Sequence, residues 1–245
     1  TSPSQIKHPS AAETAEESTS QANCPQALRL LPDSAEAAYN LGEVLREQDQ
    51  FEQAIASYQQ AITQRPDYAE AYYKLAFTFG LQGKLEEAIA HYREALFLKP
   101  DYSNAYNNLA VALAEQGNVE EAIAYYQGAI SLDPAYANAH NNLAVTLAKQ
   151  GKTEDAIAHY EQALSLTPDY AEAHTNLAVA LGKQGKLEAA SNHYQEALNL
   201  NPSSADAHSK LAFALGQEGK LDDAISHYEK ALTLEPKCAA TVHSD

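Results

Sequence analysis

Residues 103–136 read SNAYNNLAVALAEQGNVEEAIAYYQGAISLDPAY, and this stretch decides the fold because its pattern recurs along most of the chain. Prolines stand at 32, 66, 100, 134, 168, 202 and 236, each 34 residues from the next. Glycines at 83, 117, 151, 185 and 219 keep the same interval, as do tyrosines at 58, 92, 126, 160, 194 and 228. This regularity predicts stacked copies of one small unit rather than a single globular core.

Within this stretch the apolar side chains follow a helical period. The first half carries one apolar stripe, formed by Tyr106, Leu109, Ala110 and Leu113. A second stripe follows, formed by Ala122, Ile123, Tyr126, Ala129 and Ile130. Gly117 between them suits a tight turn, and Pro134 ends the second helix because proline cannot continue the backbone hydrogen bonding. Each copy is therefore predicted to be a helical hairpin that buries its apolar faces by stacking on its neighbours.

The pattern resembles the tetratricopeptide repeat (TPR) family, whose unit carries a large residue at position 4, Leu at 7, Gly at 15, Ala at 20, an aromatic at 24 and Pro at 32. With position 1 at Ala35, the second copy matches through Tyr72, Leu75, Gly83, Ala88, Tyr92 and Pro100. The departures are Ala38 at position 4, Asp49 in place of the turn glycine, and His140, His174 and His208 at position 4. The resemblance implies an all-α fold, an α–α superhelix or right-handed TPR solenoid.

The expected domain organisation is six helical hairpins with short flanking segments. The six copies are expected at residues 35–68, 69–102, 103–136, 137–170, 171–204 and 205–238. Residues 23–34 keep the register of a second helix and are expected to form an N-terminal half-repeat. Residues 1–22 are rich in Ser, Thr, Glu and Ala, which is typical of a disordered or linker tail, and residues 239–245 form a short C-terminal tail.

A second stripe on the first helix of each copy should be polar if it faced only water. Instead, position 9 carries Phe77, Val111, Val145, Val179 and Phe213. Asparagines stand beside this row, at position 6 in Asn40, Asn108, Asn142 and Asn176 and at position 5 in Asn107 and Asn141. Asn is a poor residue for a helix interior, by roughly 0.6 kcal/mol relative to Ala, so its recurrence needs a reason.

Peptide binding supplies that reason. An Asn amide offers donors and an acceptor that can pair with an extended peptide backbone, while the apolar row takes side chains and excludes water. The arrangement is similar to the asparagine ladder of the repeat domain of O-linked N-acetylglucosamine transferases. The resemblance implies a concave groove that binds a protein or peptide partner. The alternative is structural, because neighbouring helices shield part of this face and Asn at position 6 is common in the family.

Other classes of function lack support in the sequence. The formal net charge of −17 argues against nucleic acid and against an anionic membrane surface, and no apolar stretch predicts direct membrane insertion. No register supplies the Lys and Asn clamp with which co-chaperone members of the family hold a carboxylate. Repeat-related histidines are expected one helix pair apart, too far to share a metal ion, since Zn–N bonds are about 2 Å. We expect no cofactor, no metal and no catalytic residues.

The resulting functional hypothesis is a non-enzymatic scaffold for protein–protein interaction. One alternative is the recognition domain of a larger glycosyltransferase-like enzyme, and another is a self-assembling structural or assembly-factor repeat protein, a homo-oligomer formed through an uncapped C-terminal repeat. The chain begins at Thr1 and contains no Met, which is expected of a processed product or of a piece of a longer chain. The compartment stays open, with the cytoplasm favoured and export or a lumenal site compatible with a signal removed before Thr1.

Overall fold

The computed structural model describes residues 34–234. The predicted half-repeat helix and both predicted tails lie outside the described residues. Within this range the chain forms twelve α-helices and no β-strand, two helices for each 34-residue copy. The helices are α1 (Ala35–Glu47), α2 (Phe51–Gln64), α3 (Ala69–Leu81), α4 (Leu85–Leu98), α5 (Ser103–Gln116), α6 (Val119–Leu132), α7 (Ala137–Lys149), α8 (Thr153–Leu166), α9 (Ala171–Lys183), α10 (Leu187–Leu200), α11 (Ala205–Gln217) and α12 (Leu221–Leu234).

The described residues fall into two compact units, unit 1 up to Asn118 and unit 2 from Val119. The described part of unit 1 contains α1–α5, and that of unit 2 contains α6–α12. Within each unit every helix packs on the next, and the first helices of successive copies also touch, as α1 touches α3 and α7 touches α9. The odd-numbered helices therefore share one layer of a unit and the even-numbered helices share the other.

Small alanines set the close approach of the helices, and Leu and Tyr fill the space beside them. Ala54 and Ala88, at position 20, are fully buried, and so is Ala61 at position 27. Tyr58 at position 24 is also 0% exposed, and Leu75 at position 7 is 1% exposed. Because the same positions are buried in successive copies, the core of each unit is a repeating layer rather than one central cluster.

The turn inside each copy needs a left-handed backbone. Gly83 and Gly117 adopt φ values of 71° and 92°, which glycine reaches without steric cost. Asp49 occupies the corresponding place in the first copy with φ 58°, and Asp is among the few other residues that tolerate this conformation. The departure from the repeat pattern at Asp49 therefore keeps the geometry of the turn.

A recurring hydrogen bond joins neighbouring copies on the polar surface. The side-chain amide of Gln82 donates to Glu52 at 2.9 Å, and that of Gln184 donates to Glu154 at 3.1 Å. The same bond is made by Gln116 to Glu86 and by Gln150 to Glu120. The bond holds the end of one first helix against the start of the preceding second helix, so it fixes the register in which the helix layers stack.

Candidate peptide-binding face

The predicted site lies on the odd-numbered helices, and its asparagines in unit 1 are joined to one another. Asn108 on α5 is half-buried, and its amide nitrogen donates to the hydroxyl of Tyr73 at 2.9 Å. The side-chain oxygen of Asn108 accepts from the amide of Asn107 at 2.9 Å, and Asn107 is only 4% exposed. An amide has two N–H donors and two lone pairs, and Asn108 also hydrogen-bonds to Tyr92, so the site left on Asn108 is one acceptor lone pair.

In unit 2 the same repeat positions are connected in a similar way. The amide nitrogen of Asn176 on α9 donates to the side-chain oxygen of Asn141 on α7 at 3.2 Å. Asn141 is fully buried and donates at 3.4 Å to both the hydroxyl of Tyr170 and the carboxylate of Glu172. Asn142 is half-buried beside Asn141. In both units a position 6 Asn thus reaches the position 5 side chain of the preceding copy.

This geometry separates the predicted asparagines into two groups. Asn107 and Asn141 point into the structure and hold other side chains in place. Asn108, Asn142 and Asn176 lie half-buried, and we call them the amide row. Asn40 is exposed at the start of unit 1 and lines neither pocket described below. The sequence pattern placed positions 5 and 6 on one stripe, and it did not distinguish a buried amide from a half-buried one.

The apolar row follows the amide row along the odd-numbered helices. Phe77, Val111, Val145 and Val179 are half-buried, while Phe213 on α11 is 61% exposed. Half-buried apolar side chains beside polar amides form a surface from which a bound molecule can displace water. Phe213 stands further out than the other members of the row.

One pocket in each unit brings the two rows together. The unit 1 pocket is a cavity of about 150 Å³, lined by Phe77, Gly80, Leu81, Leu85, Tyr92, Asn108, Val111, Ala112 and Glu115. The unit 2 pocket also measures about 150 Å³, and its lining is Val145, Ala148, Lys149, Thr153, Tyr160, Asn176, Val179, Ala180 and Lys183. The two linings occupy identical repeat positions, 9, 12, 13, 17 and 24 of one copy and 6, 9, 10 and 13 of the next.

An ionic cluster borders the apolar row in the first copy, where position 9 is Glu43 instead of an apolar residue. The Glu43 carboxylate accepts hydrogen bonds from Lys74, at 2.5 Å, and from the hydroxyl of Tyr58. Burial alone would raise the pKa of Glu43, but these two hydrogen bonds and the charges of Lys74 and Arg46 lower it below its usual value. Glu43 and Lys74 therefore neutralise each other, and neither offers an unpaired charge to a ligand.

Three histidine pairs in unit 2 were missed by the sequence reasoning. Position 4 and position 23 of one copy meet in the hairpin, with Nδ1 to Nδ1 distances of 3.1 Å for His140–His159, 3.0 Å for His174–His193 and 2.9 Å for His208–His227. Like positions recur every 34 residues and belong to different copies, whereas positions 4 and 23 meet within one hairpin. A helical wheel of both helices of one hairpin would have placed positions 4 and 23 on facing sides.

The tautomers of these pairs follow from a backbone carbonyl. Nε2 of His174 lies 3.0 Å from the carbonyl oxygen of Pro168, which can only accept, so this nitrogen carries a hydrogen. Nδ1 of a neutral His174 is then an acceptor, and His193 donates to it through its own Nδ1–H. His208 makes the corresponding contact to Pro202 at 3.2 Å. When both rings of such a pair are neutral, one ring is the donor and the other the acceptor.

Two further features of the described residues concern other functions. Among residues 34–234, no group of three or more His, Cys, Asp or Glu side chains is arranged to hold a metal ion. Over the same range, every helix is too short or too polar to cross a lipid bilayer.

Comparison with known proteins identifies the family. The family model of the cilia and flagella-associated protein 70 C-terminal domain, a TPR domain, matches residues 5–244. The chain therefore belongs to this TPR family, and the fold class is all-α, an α–α superhelix of the TPR type. The repeat resemblance predicted from the sequence is confirmed. No curated protein matches the chain at a significant level.

Several solved structures share the fold. A chain of the APC/C hetero-tetramer Cut9–Hcn1 is 22% identical with a TM-score of 0.76, over 91% of this chain and 44% of that one. PilW, a type IV pilus biogenesis factor, is 24% identical with a TM-score of 0.75, over 84% of this chain and 95% of PilW. YrrB, a TPR protein with an unusual peptide-binding site, is 21% identical with a TM-score of 0.60, over 74% and 93%. At these identities the likeness concerns the fold.

Proposed function

We propose that this chain is a non-enzymatic scaffold for protein–protein interaction, which binds extended peptide segments on the odd-numbered helices of each unit. The observation that carries the proposal is the recurrence of one pocket, at identical repeat positions and with the same volume, in both units. Each pocket joins a member of the amide row to two members of the apolar row. A surface that repeats every 34 residues suits a ligand that is itself a repeating chain.

The proposed chemistry is recognition of the peptide backbone. Asn108 keeps one acceptor lone pair after its bonds to Tyr73, Asn107 and Tyr92, and the N–H of a peptide unit can donate to it. Asn107 and Asn141 hold the neighbouring amides in place, so the amide row is partly preorganised before the ligand arrives. The half-buried valines exclude water from the hydrogen bonds between the amide row and the ligand. A polar group that lacks its hydrogen-bond partner there costs more free energy than it would in water.

Fluorescence anisotropy with labelled decapeptides, acetylated and amidated at their ends, would test this proposal. The N108A/N142A/N176A variant should bind more weakly, because each lost hydrogen bond is worth about 0.5–1.5 kcal/mol. N-methylation of the peptide backbone should weaken binding to the wild type and have less effect on the variant. The matched control is N192A/N199A, which removes exposed amides from α10. Equal affinities of wild type and triple variant would refute backbone recognition by the amide row.

A second candidate function is self-assembly, favoured by the surface of α12. Ile225 and Leu232 are 57% and 68% exposed, and Tyr228 is 42% exposed. In the other copies the position 24 tyrosine is nearly buried, as for Tyr92 at 3%. An exposed apolar helix face of this kind is typical of association sites. Peptide binding and self-association through α12 use different surfaces, so the variants proposed for each should not affect the other.

A further inference from the structure

The two equivalent pockets differ in charge at the same repeat position. At position 13 the unit 1 pocket has Leu81 and Glu115, whereas the unit 2 pocket has Lys149 and Lys183. Position 17 is also more polar in unit 2, where it is Thr153, than in unit 1, where it is Leu85. The unit 1 pocket is therefore bordered by apolar groups and a carboxylate, and the unit 2 pocket by two ammonium groups and a hydroxyl.

The two lysines carry charges that the rest of the described chain does not neutralise. The lysine ion pairs among residues 34–234 involve Lys74, Lys99, Lys210 and Lys220. Lys149 and Lys183 are exposed and take part in none of them. In a chain of net charge −17, two unpaired ammonium groups at one pocket form a local site for an anion.

Nearby acidic groups do not account for the difference between the pockets. Glu154, next to Thr153, accepts a hydrogen bond from Gln184 in unit 2. Glu86, next to Leu85, accepts the same bond from Gln116 in unit 1. Since this carboxylate is present beside both pockets, the contrast in charge comes from position 13.

We infer that the two pockets select different side chains of bound peptides: the unit 2 pocket takes the carboxylate of an Asp or Glu, and the unit 1 pocket takes an apolar side chain. This inference rests on the proposed peptide binding. A cavity of about 150 Å³ can hold a benzene-sized group, which is the scale of one side chain. Lys149 and Lys183 supply charge-assisted hydrogen bonds to the carboxylate, Thr153 supplies a further donor, and Asn176 holds the adjoining backbone. In unit 1 Glu115 repels an acidic side chain, while Phe77 and Leu81 favour an apolar one.

An array of acetylated and amidated decapeptides, in which one central residue is Glu, Gln, Leu or Lys, would test the inference. Among peptides that place the central residue in the unit 2 pocket, the wild type should bind the Glu peptide more tightly than the Gln peptide. High salt should reduce this preference by screening the charges. In the K149Q/K183Q variant, the ratio of the affinities for Glu and Gln peptides should fall by about threefold to tenfold. This is the range expected for two partly exposed ion pairs. The control variant K152Q/K186Q removes the same charge from exposed lysines in the turns, outside the pocket, and should keep the preference.

A graft tests the same inference in the opposite direction. The L81K/E115K variant gives unit 1 the position 13 residues of unit 2, and both replaced side chains are exposed, so the fold should tolerate the change. It should bind Glu-containing peptides more tightly, again by about threefold to tenfold, and Leu-containing peptides less tightly. Circular dichroism of each variant checks that the helices are retained.

The possible outcomes separate the inference from the proposed function. If K149Q/K183Q and K152Q/K186Q reduce the preference for Glu equally, overall charge is responsible and the inference is wrong. It is also wrong if the wild type shows no preference for Glu, or if the graft does not change the preference. Binding of peptides in these cases would leave the scaffold function intact. If no peptide in the array binds the wild type, the peptide-binding function fails and the specificity fails with it.

Discussion

The two units are built from the same repeat but fill its variable positions with different chemistry. In unit 1 position 5 is aromatic in the first two copies and Asn107 in the third, and the ring centroids of Tyr39 and Tyr73 lie 5.1 Å and 4.8 Å from those of Tyr68 and Tyr102. In unit 2 the same position holds Asn141, Thr175 and Ser209. The comparison teaches that the positions fixing the helix hairpin are separate from those that join one copy to the next, so the joints can change while the backbone pattern stays.

The charged groups at the joints differ in the same way. In unit 1 Arg65 pairs with Glu36 at 3.1 Å, and Lys99 pairs with Glu70 at 3.0 Å. Position 31, which supplies these cations, holds Asp133, Thr167 and Asn201 in unit 2. Exposed ion pairs of this kind contribute about 0–1 kcal/mol each, so they bias orientation more than they stabilise. In unit 2 the side-chain hydrogen bonds of Asn141 join one copy to the next.

The largest expected contrast between the units is their response to acid. Burial lowers the pKa of four histidines in unit 2, His140, His159, His193 and His227, and in unit 1 it lowers the pKa of His91, the one described histidine there. The second ring of each pair lowers the pKa further for His159 and His193, while Asp155, Glu161 and Glu196 act in the opposite direction. Burial and the charges of Lys230 and His208 lower the pKa of His227, while the charge of Asp223 raises it. His140, His159, His193 and His227 thus stay neutral at a pH where free histidine begins to charge.

The sign of the effect follows from proton binding. An unfolded histidine titrates near about 6.5, so below this pH the unfolded chain binds more protons than the folded one. The contribution of these histidines to the free energy of unfolding is therefore fully present above about pH 6.5. It falls as the pH drops, by about 1.4 kcal/mol per pH unit for each proton that the unfolded chain binds in excess of the folded one. Urea unfolding followed by circular dichroism at several pH values should show this fall. H159Y/H193Y/H227Y should flatten it, since Tyr125 occupies the same repeat position naturally, and H91Y should change it much less. An equal change in both variants would show that the pairs are not its source.

The second contrast concerns the space beside the position 24 tyrosine. A Cβ atom added at Gly42 would lie 2.5 Å from the Tyr58 ring, which is fully buried, whereas one at Gly80 would meet nothing within 4 Å. We expect G42A to destabilise the protein by about 1–3 kcal/mol through overpacking. G80A should stabilise it by up to about 1 kcal/mol through helix propensity. Chemical denaturation of the two variants measures both effects. A neutral G42A would show that the Tyr58 ring and the Glu43 cluster can move.

The third prediction concerns the stability of the amide row. From the sequence alone, N108A/N142A/N176A is expected to fold as well as the wild type or slightly better, because Ala is the better helix former. The structure adds the bonds from Asn108 to Tyr73 and from Asn176 to Asn141, each worth about 0.5–1.5 kcal/mol. We therefore expect a net loss of stability of about 1 kcal/mol, with the helices retained. Unfolding of the triple variant under native conditions would instead make the amide row primarily structural.

The smallest expected effect is self-association through α12. Only Ala224 and Ala231 of this helix are buried, while Ile225 and Leu232 are exposed. We expect weak, concentration-dependent association that salt strengthens, because screening reduces the repulsion between acidic chains. Light scattering across a concentration series of wild type and I225E/L232E would measure it. A wild type that stays monomeric at high concentration and moderate salt would contradict this prediction.

The helices could be predicted from the sequence because Pro ends every copy at a fixed interval and Gly marks the turn inside five of the six copies. The contacts between the two helices of one copy could not, since the 34-residue interval says nothing about which side chains face each other across a hairpin. The 34-residue interval therefore does not show that the rings of His174 and His193 are hydrogen-bonded. The burial of Asn141 was also hidden, because position 5 lies at the edge of the predicted stripe and its depth depends on the neighbouring helix. The division into units after Asn118 has no counterpart in the repeat, which continues unchanged through it.

The central claim is that peptides bind through the amide row, and side-chain amide signals in an NMR titration test it most directly. The protein would be labelled with ¹⁵N at asparagine and titrated with the tightest-binding decapeptide of the array, with signals assigned by single Asn variants. The account predicts that the side-chain signals of Asn108, Asn142 or Asn176 shift on binding, while those of Asn192 and Asn199 on α10 do not. Shifts confined to asparagines of the even-numbered helices, with the amide row unchanged, would contradict it.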